Sequence, residues 1–565
     1  MAHPSEAPYI SDDITAHSAT KRKFTIHLGL IVLLLINVIV LYVLHFADNS
    51  SNVKVKSESF QANGEIDNKV VSFNADGSVR AGAGTTAYLD AATLPSDDLS
   101  YMTISPIGLS TSNTAIITYY VKSKKQAVVT TLAVAKDNSA KLADAPAENI
   151  VANVQVRGVA TLSNTQAVFI ESTSLGVVNA VYGKISGGNS VFYVKDNRAL
   201  IANASISNTI GRVSATQFAT TSYEPYVENG TWWQNINVGT VSAEGAITLS
   251  SPLRFGVAND GNGNSCTNSK AQVVAGGFLV TYFGTSSGNS TGLCVVYATP
   301  NGTAVSKITE TCNKKYKPTY FVDSTTLADD LVAFTFYDAA NNNALTIATV
   351  GVTSQKALVF RSDYVIQGAA GAFDFGSYYS WSPTPYIEAL GNNKLAILFL
   401  NPSNQGRPTT QVFKVTDSFG LVPSTPLMRL SNGDFSLAIK NPNATTASVT
   451  LDLLPVTNSS YAAVYSGALD TLQVKRVSVV ESLGKPIGIG SSSQAIVMNG
   501  AAKVDGVDLT PGQAYYTTTK GEILAATSTD AGAEYYFVGN KTVVSQDSRV
   551  GVAVTKDKIY VTSSL

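Results

Sequence analysis

Beyond about residue 100 the chain alternates apolar and polar positions and breaks into short runs at Gly, Asn, Ser and Asp. A period of two belongs to β-strands, whose successive side chains point to opposite faces. One unit recurs along this stretch: an apolar run, a polar turn, then a second alternating run. Seven copies can be written, opening at Ala115, Ala167, Ala219, Leu279, Ala333, Ala396 and Ala463. A short strand precedes most copies, as in RGVATLSN, STTLADD, YIEALGNN and DLLPVTNSS, and another follows many of them, as in ALVFRSDY. Three or four strands recurring about every 50–65 residues is the pattern of β-propeller blades. A string of sandwich domains would need about seven strands and 100 residues per unit. The predicted fold class is therefore all-β: a β-propeller of seven blades over residues 101–481.

After Glu481 the pattern changes to short strands separated by Gly turns, and residues 482–565 read as a small C-terminal β-domain. Pro511-Gly512 marks a tight turn there, because Pro presets φ and Gly tolerates positive φ. Residues 47–100 read as a stalk and lead-in strands. The last of these strands could pair with the final blade and close the ring.

The remaining segment has a different pattern. Phe24–Phe46 is a run of 23 residues without Asp, Glu, Lys or Arg. At 1.5 Å per residue that spans a hydrocarbon core of ~30 Å, and it exceeds the apolar core of a cleaved signal peptide. Residues 24–46 are thus expected to be a transmembrane signal-anchor helix. Lys21, Arg22 and Lys23 abut it, and no basic residue follows until Lys54. The positive-inside rule then leaves residues 1–23 as a cytoplasmic tail and sends the rest outside or into the lumen. The localisation that follows is the plasma membrane or a secretory-pathway membrane, single-pass type II. Eight Asn-x-Ser/Thr sequons, at Asn49, Asn203, Asn229, Asn289, Asn301, Asn443, Asn458 and Asn540, all fall on that outer side.

Composition narrows the function. The formal net charge is −1 and charged residues make up 14% of the chain. No basic face is available for nucleic acid. The four histidines are His3, His17, His27 and His45, so none lies in the ectodomain. That removes Ser-His-Asp and Cys-His hydrolases and His-type zinc sites. The three cysteines, Cys266, Cys294 and Cys312, fall in one stretch. Outside the cell two of them would pair as a local staple, and spacing does not choose which.

What chemistry remains is sparse. A carboxylate-only glycosidase survives the filter. Glu224, Asp338 and Asp374 could line a central pocket, although solvated turn carboxylates are the commoner case. No catalytic motif is visible, and the chain is read as not an enzyme. Asp260-Gly-Asn-Gly-Asn264 resembles the start of a calcium loop, but Ala271 stands where the distal Glu belongs, so an Asn/Gly turn is the better reading and no cofactor is assigned. Two aromatic clusters in predicted loops, Trp232–Trp233 and Tyr378, Tyr379 and Trp381, could contact a ligand. They could equally fill contacts between blades.

Two segments carry a resemblance. Val504–Leu524, with DGVDLTPGQAYYTTTKGEIL, and Arg549–Thr562, RVGVAVTKDKIYVT, resemble the C-terminal module of large extracellular propeller-repeat proteins of heterokont protists, a module also similar to one in phage tail fibres. Asn237–Phe255, NVGTVSAEGAITLSSPLRF, with the strand at Phe278, resembles the blade repeat of the same proteins. The resemblance implies a surface or secreted role without a catalytic motif. The N-terminal anchor departs from that pattern. The function expected is extracellular binding, adhesion or recognition of a protein or glycan. The alternative is a structural component of a surface coat, self-assembling through the C-terminal domain.

Overall fold

The computed structural model describes residues 54–562 apart from connecting stretches, of which 259–269, 367–384 and 431–450 are the longest. The anchor run 24–46 lies outside the described residues. Among the described residues no helix is long and apolar enough to cross a membrane. They form two compact units, one within residues 84–483 and 526–548, the other within residues 54–83, 484–525 and 549–562.

The larger unit consists of seven antiparallel meanders. Their inner strands are Leu99–Pro106, Val154–Thr161, Thr209–Arg212, Gln272–Val274, Asp323–Ala328, Tyr386–Gly391 and Leu451–Thr457, for blades 1 to 7. Each inner strand neighbours the next, and the seventh neighbours the first, so the ring is closed. Every one of the seven repeat copies falls on the second strand of a blade: Thr114–Val121, Gln166–Thr173, Gln217–Val227, Gly277–Thr285, Leu331–Asp338, Lys394–Asn401 and Ser460–Ser466.

The burial pattern explains why these strands read as nearly continuous apolar runs. Leu331–Asp338 is buried at all eight positions. Alternate side chains go to opposite neighbours: Leu331, Ala333 and Tyr337 pack on blade 6 with Leu395, Ile397 and Phe399. Val332, Phe334 and Phe336 pack on blade 4 with Leu293, Val295 and Tyr297. Seven such apolar clusters fill the seven interfaces between blades. A strand buried on both faces needs no polar side, which is the physical source of the run.

Close approach demands glycine at Gly239, in the third strand of blade 3. A Cβ there would lie 2.1 Å from the Phe218 ring. The ring therefore rests on bare backbone.

The closing strand comes from the other end of the chain. Thr86–Pro95 pairs antiparallel with Thr471–Val479 and supplies the outermost strand of blade 7, from Thr471↔Pro95 to Val479↔Ala87. Its far edge pairs with Thr542–Ser545.

The smaller unit has its own core of Val70, Ile489, Ala502, Val504, Leu509, Tyr515, Ile523, Val550, Ile559 and Val561. Lys54–Lys56 and Val70–Phe73, in the segment read as stalk, pair with Ala495–Val497 and Gly488–Gly490. A second sheet places Ala514–Thr517, Arg549–Thr555, Lys558–Thr562 and Asn499–Lys503 side by side in that order. Pro511-Gly512 forms the tight turn, with Gln513 N donating to the Thr510 carbonyl and Gly512 at φ +83°.

Candidate functional site

The inner strands run parallel around the ring. Ile387 N donates to Asp323 Oδ2 at 3.1 Å, and two residues further on Ala389 N donates to Thr325 Oγ1 at 3.0 Å. A common direction brings the first residues of these strands to one end of the axis. There blades 4 to 7 contribute Lys270, Asp323, Glu388 with Tyr386, and Asp452.

Lys270 stands two residues before the inner strand of blade 4. Its Nζ lies 3.2 Å from Glu388 Oε1 and 3.4 Å from Asp323 Oδ1. It also sits 5.8 Å from the centre of the Tyr386 ring, within cation–π range. Its own carbonyl accepts from Ser324 Oγ at 3.2 Å. Glu388 Oε2 accepts from Thr325 Oγ1 at 3.4 Å. Asp452 accepts two backbone N–H groups, from Ile104 of blade 1 at 2.6 Å and from Leu453 at 2.8 Å. Ion pairs and carboxylate-to-amide bonds thus stitch the blades together at the axis.

These groups lie deep, yet solvent reaches them unequally. The Asp323 side chain keeps 5% of its exposure, against 29% for Lys270 and 25% for Glu388. Burial raises the Glu388 carboxyl above its ordinary range, against the pull of Lys270 and with a further push from Asp323. Burial also raises Asp452, to about 7, against Lys270 and the Leu453 amide. Burial alone would lower the Lys270 ammonium, but Asp323, Glu388 and Asp452 outweigh it and hold it well above an ordinary lysine. The site therefore offers a cation, two carboxylates paired to it and a threonine hydroxyl. Such a set can hydrogen-bond a polar ligand from both donor and acceptor sides. Among the described residues no group of three or more His, Cys, Asp or Glu is arranged to hold a metal.

None of these five residues was singled out from sequence. The available signal was a carboxylate within the first three residues of an inner strand, in DSTTLA, YIEALG and LDLLPVT.

The residues that were singled out lie elsewhere. Trp232 and Trp233 fall in the strand Thr231–Val241, not in a loop, with Trp233 opposite Glu224. The β preference of aromatics extends that strand past the expected turn. Tyr378, Tyr379, Trp381, Asp374, Cys266 and Asp260–Asn264 lie outside the described residues. Asp338 is fully buried and serves a turn: it accepts from Lys317 N, Ala340 N and Asn341 Nδ2. It anchors backbone and does not line a pocket. Cys294 and Cys312, directly opposite on neighbouring strands of blade 4, form a disulfide. Of the sequons, Asn301 ends a strand and Asn458 sits in the turn before Ser460, both exposed. Asn49, Asn203, Asn229, Asn289, Asn443 and Asn540 lie outside the described residues.

No family model and no curated relative matches the sequence. Solved structures do match by shape. The BP39L lectin from Burkholderia pseudomallei aligns at a TM-score of 0.40 and 12% identity, over 71% of this chain and 98% of its own. The fungal lectin of Aleuria aurantia, described as a six-bladed β-propeller, aligns at 0.35 and 8%, over 60% of this chain and 99% of its own. A protein of unknown function from Dyadobacter fermentans aligns at 0.37 and 10%, over 70% and 99%. The seven-bladed architecture rests on the closed ring of inner strands and not on these likenesses.

Proposed function

We propose that this chain is a type II membrane glycoprotein whose propeller serves extracellular binding, adhesion or recognition, with the Lys270–Glu388 end of the axis as the ligand-facing end. The observation that carries the reading is the axial cluster. A closed ring holds Lys270, Asp323, Glu388 and Asp452 from four blades in fixed positions, and Lys270 and Glu388 keep about a quarter of their surface open to solvent. Rigid scaffolds that present a few oriented polar groups suit recognition without reactive side chains. Acceptor carboxylates beside a donor ammonium suit a hydroxyl-rich glycan or a polar protein segment. The exposed turns at Asn301 and Asn458 can accommodate N-glycans, in keeping with an outer-side propeller.

The test has two arms. The detergent-solubilised full-length chain is captured from native membranes, and its partners and mass are read by size-exclusion light scattering. A discrete protein or glycan partner, lost with Lys270→Met while the thermal transition persists, supports the reading. Regular self-association with no heterologous partner would replace it with a structural coat component. Protease protection and glycosidase mass shifts on intact membranes test the topology separately, since a cytosolic propeller would carry no glycan.

A further inference from the structure

The sixth residue of a second strand faces the preceding blade, and in five blades it is an aromatic ring. Tyr119, Tyr282, Phe336, Phe399 and Tyr465 fill that place in blades 1, 4, 5, 6 and 7. Blade 2 has Glu171 there, which accepts from Asn179 Nδ2 at 2.9 Å and from the Tyr193 hydroxyl. Blade 3 has Ser222, with neither a ring nor a charge. The fourth residue follows suit. It is apolar in every other blade, as at Ile117 and Phe334, but is Thr220 in blade 3.

The apolar cluster between blades 2 and 3 therefore stops at Phe218, and a polar layer lies beyond it. Asn237 and Asn235 stand directly opposite Thr220 and Ser222 on the third strand. Ser172 shares the face of blade 2 that turns Val168 and Ile170 toward blade 3. All five side chains are more than nine-tenths buried. Asn237 Nδ2 donates to the Ser250 carbonyl at 3.0 Å. Thr220 Oγ1 and Asn235 Oδ1 are buried without a hydrogen-bond partner in the protein. Orphaned polar atoms are costly inside an interface, and two on facing rungs of one hairpin call for a bound group. That hairpin runs on past the slot. The blade 2 strand stops at Thr173, whereas the blade 3 strand continues to Val227, and the next rung in phase pairs Glu224 with Trp233.

We infer that the slot between blades 2 and 3 binds a neutral sugar residue, with Thr220 and Asn235 on its hydroxyls. Thr220 can donate and accept, and the Asn235 oxygen accepts, a set that adjacent sugar hydroxyls can meet. None of the five side chains is charged, so an ion would gain nothing to offset its lost hydration. A pyranose ring is of the size of the aromatic ring that Ser222 lacks. Ile170 and Val178 on the blade 2 face suit the apolar side of such a ring. The slot is a separate site from the axial cluster and does not rest on that cluster binding a ligand.

The probes are the methyl glycosides of glucose, galactose, mannose and N-acetylglucosamine. Each is titrated by calorimetry into the full-length chain, held in a detergent without a sugar headgroup. At least one should bind, with an affinity that salt leaves unchanged because no charge is neutralised. Ser222→Phe restores the ring that five blades carry. It should weaken binding at least tenfold while the thermal transition holds or rises, whereas Lys270→Met should leave binding unchanged. In the unmutated chain, the bound glycoside should slow amide exchange in Gln217–Val227 and Thr231–Val241, so the result does not depend on any variant folding. The inference is overturned if none of the four glycosides binds, which would leave buried water to serve Thr220 and Asn235. It is equally overturned if Ser222→Phe binds as the parent does. Exchange that slows elsewhere but not in these two strands, with binding lost in Lys270→Met, would place the sugar at the axial cluster and overturn it too.

Discussion

Asp452 in blade 7 accepts the backbone N–H of Ile104 in blade 1, a residue 348 positions earlier, at 2.6 Å. The bond crosses the seam where the ring meets itself. Its acceptor also titrates near neutrality: burial raises Asp452 from the ordinary 3.8 to about 7. A carboxyl whose folded value is raised binds more protons folded than unfolded between those two values. Its contribution is complete below about 3.8 and is lost as pH rises through about 7. The unmutated protein should therefore lose thermal stability from pH 4 to pH 8 more steeply than Asp452→Asn, whose amide oxygen still accepts the Ile104 bond. Melting midpoints across that range check this, and parallel curves would remove Asp452 from the account.

Removing the axial cation leaves carboxylates facing each other. Lys270→Met should destabilise the propeller by about 1–3 kcal/mol, below the full cost of breaking a buried pair because Lys270 is partly open to water. Adding Glu388→Gln should recover part of that loss, since it removes one of the stranded charges. Urea unfolding of the single and double variants measures the recovery, and simple additivity would mean the two residues are not coupled.

Gly239 is fixed by the Phe218 ring. Gly239→Ala should cost about 1–3 kcal/mol by overpacking, and Phe218→Leu in the same chain should cost less than the sum of the two changes. A Gly239→Ala variant as stable as the parent would mean the ring has somewhere to go.

The Cys294–Cys312 disulfide closes a short loop, its ends 18 residues apart in sequence. Cys294→Ser with Cys312→Ser should lower stability by about 2–4 kcal/mol by the loop-entropy account. The loss should appear locally, as faster amide exchange in Ala304–Asn313, the outer strand of blade 4. Exchange that accelerates uniformly over all blades would contradict a local staple.

The fold was legible because its pattern is repetitive. The seven runs opening at Ala115 through Ala463 each became a second strand, since burial on two faces writes itself as a run of Val, Ile, Ala and Phe. The axial site was not legible in the same way. Lys270, Asp323, Glu388 and Asp452 come from four different repeats, and each alone looks like a charge at the mouth of a strand. Only the side-by-side packing of the inner strands of blades 4 to 7 around the axis gathers them at one end. Cysteine spacing could not choose a pair, because the choice depends on the register that sets Cys294 opposite Cys312. Asp338 is a turn carboxylate, the commoner of the two readings the sequence allows, but a buried one and not a solvated one: it accepts from Ala340 N and Asn341 Nδ2 in its own turn and from Lys317 N, 21 residues earlier.

The strand that completes blade 7 has a consequence for how the protein is made. Thr86–Pro95 leaves the ribosome early, and its partner Thr471–Val479 follows only after roughly 380 more residues, a wait of roughly 20–75 s at ~5–20 residues per second. Throughout that interval the first strand has no neighbour and the growing arc of blades has an open apolar face at each end. Six blades can accumulate without forming the native ring. Ring closure therefore waits on the last blade, so the pairing of Thr86–Pro95 with Thr471–Val479 is a late step of biosynthesis.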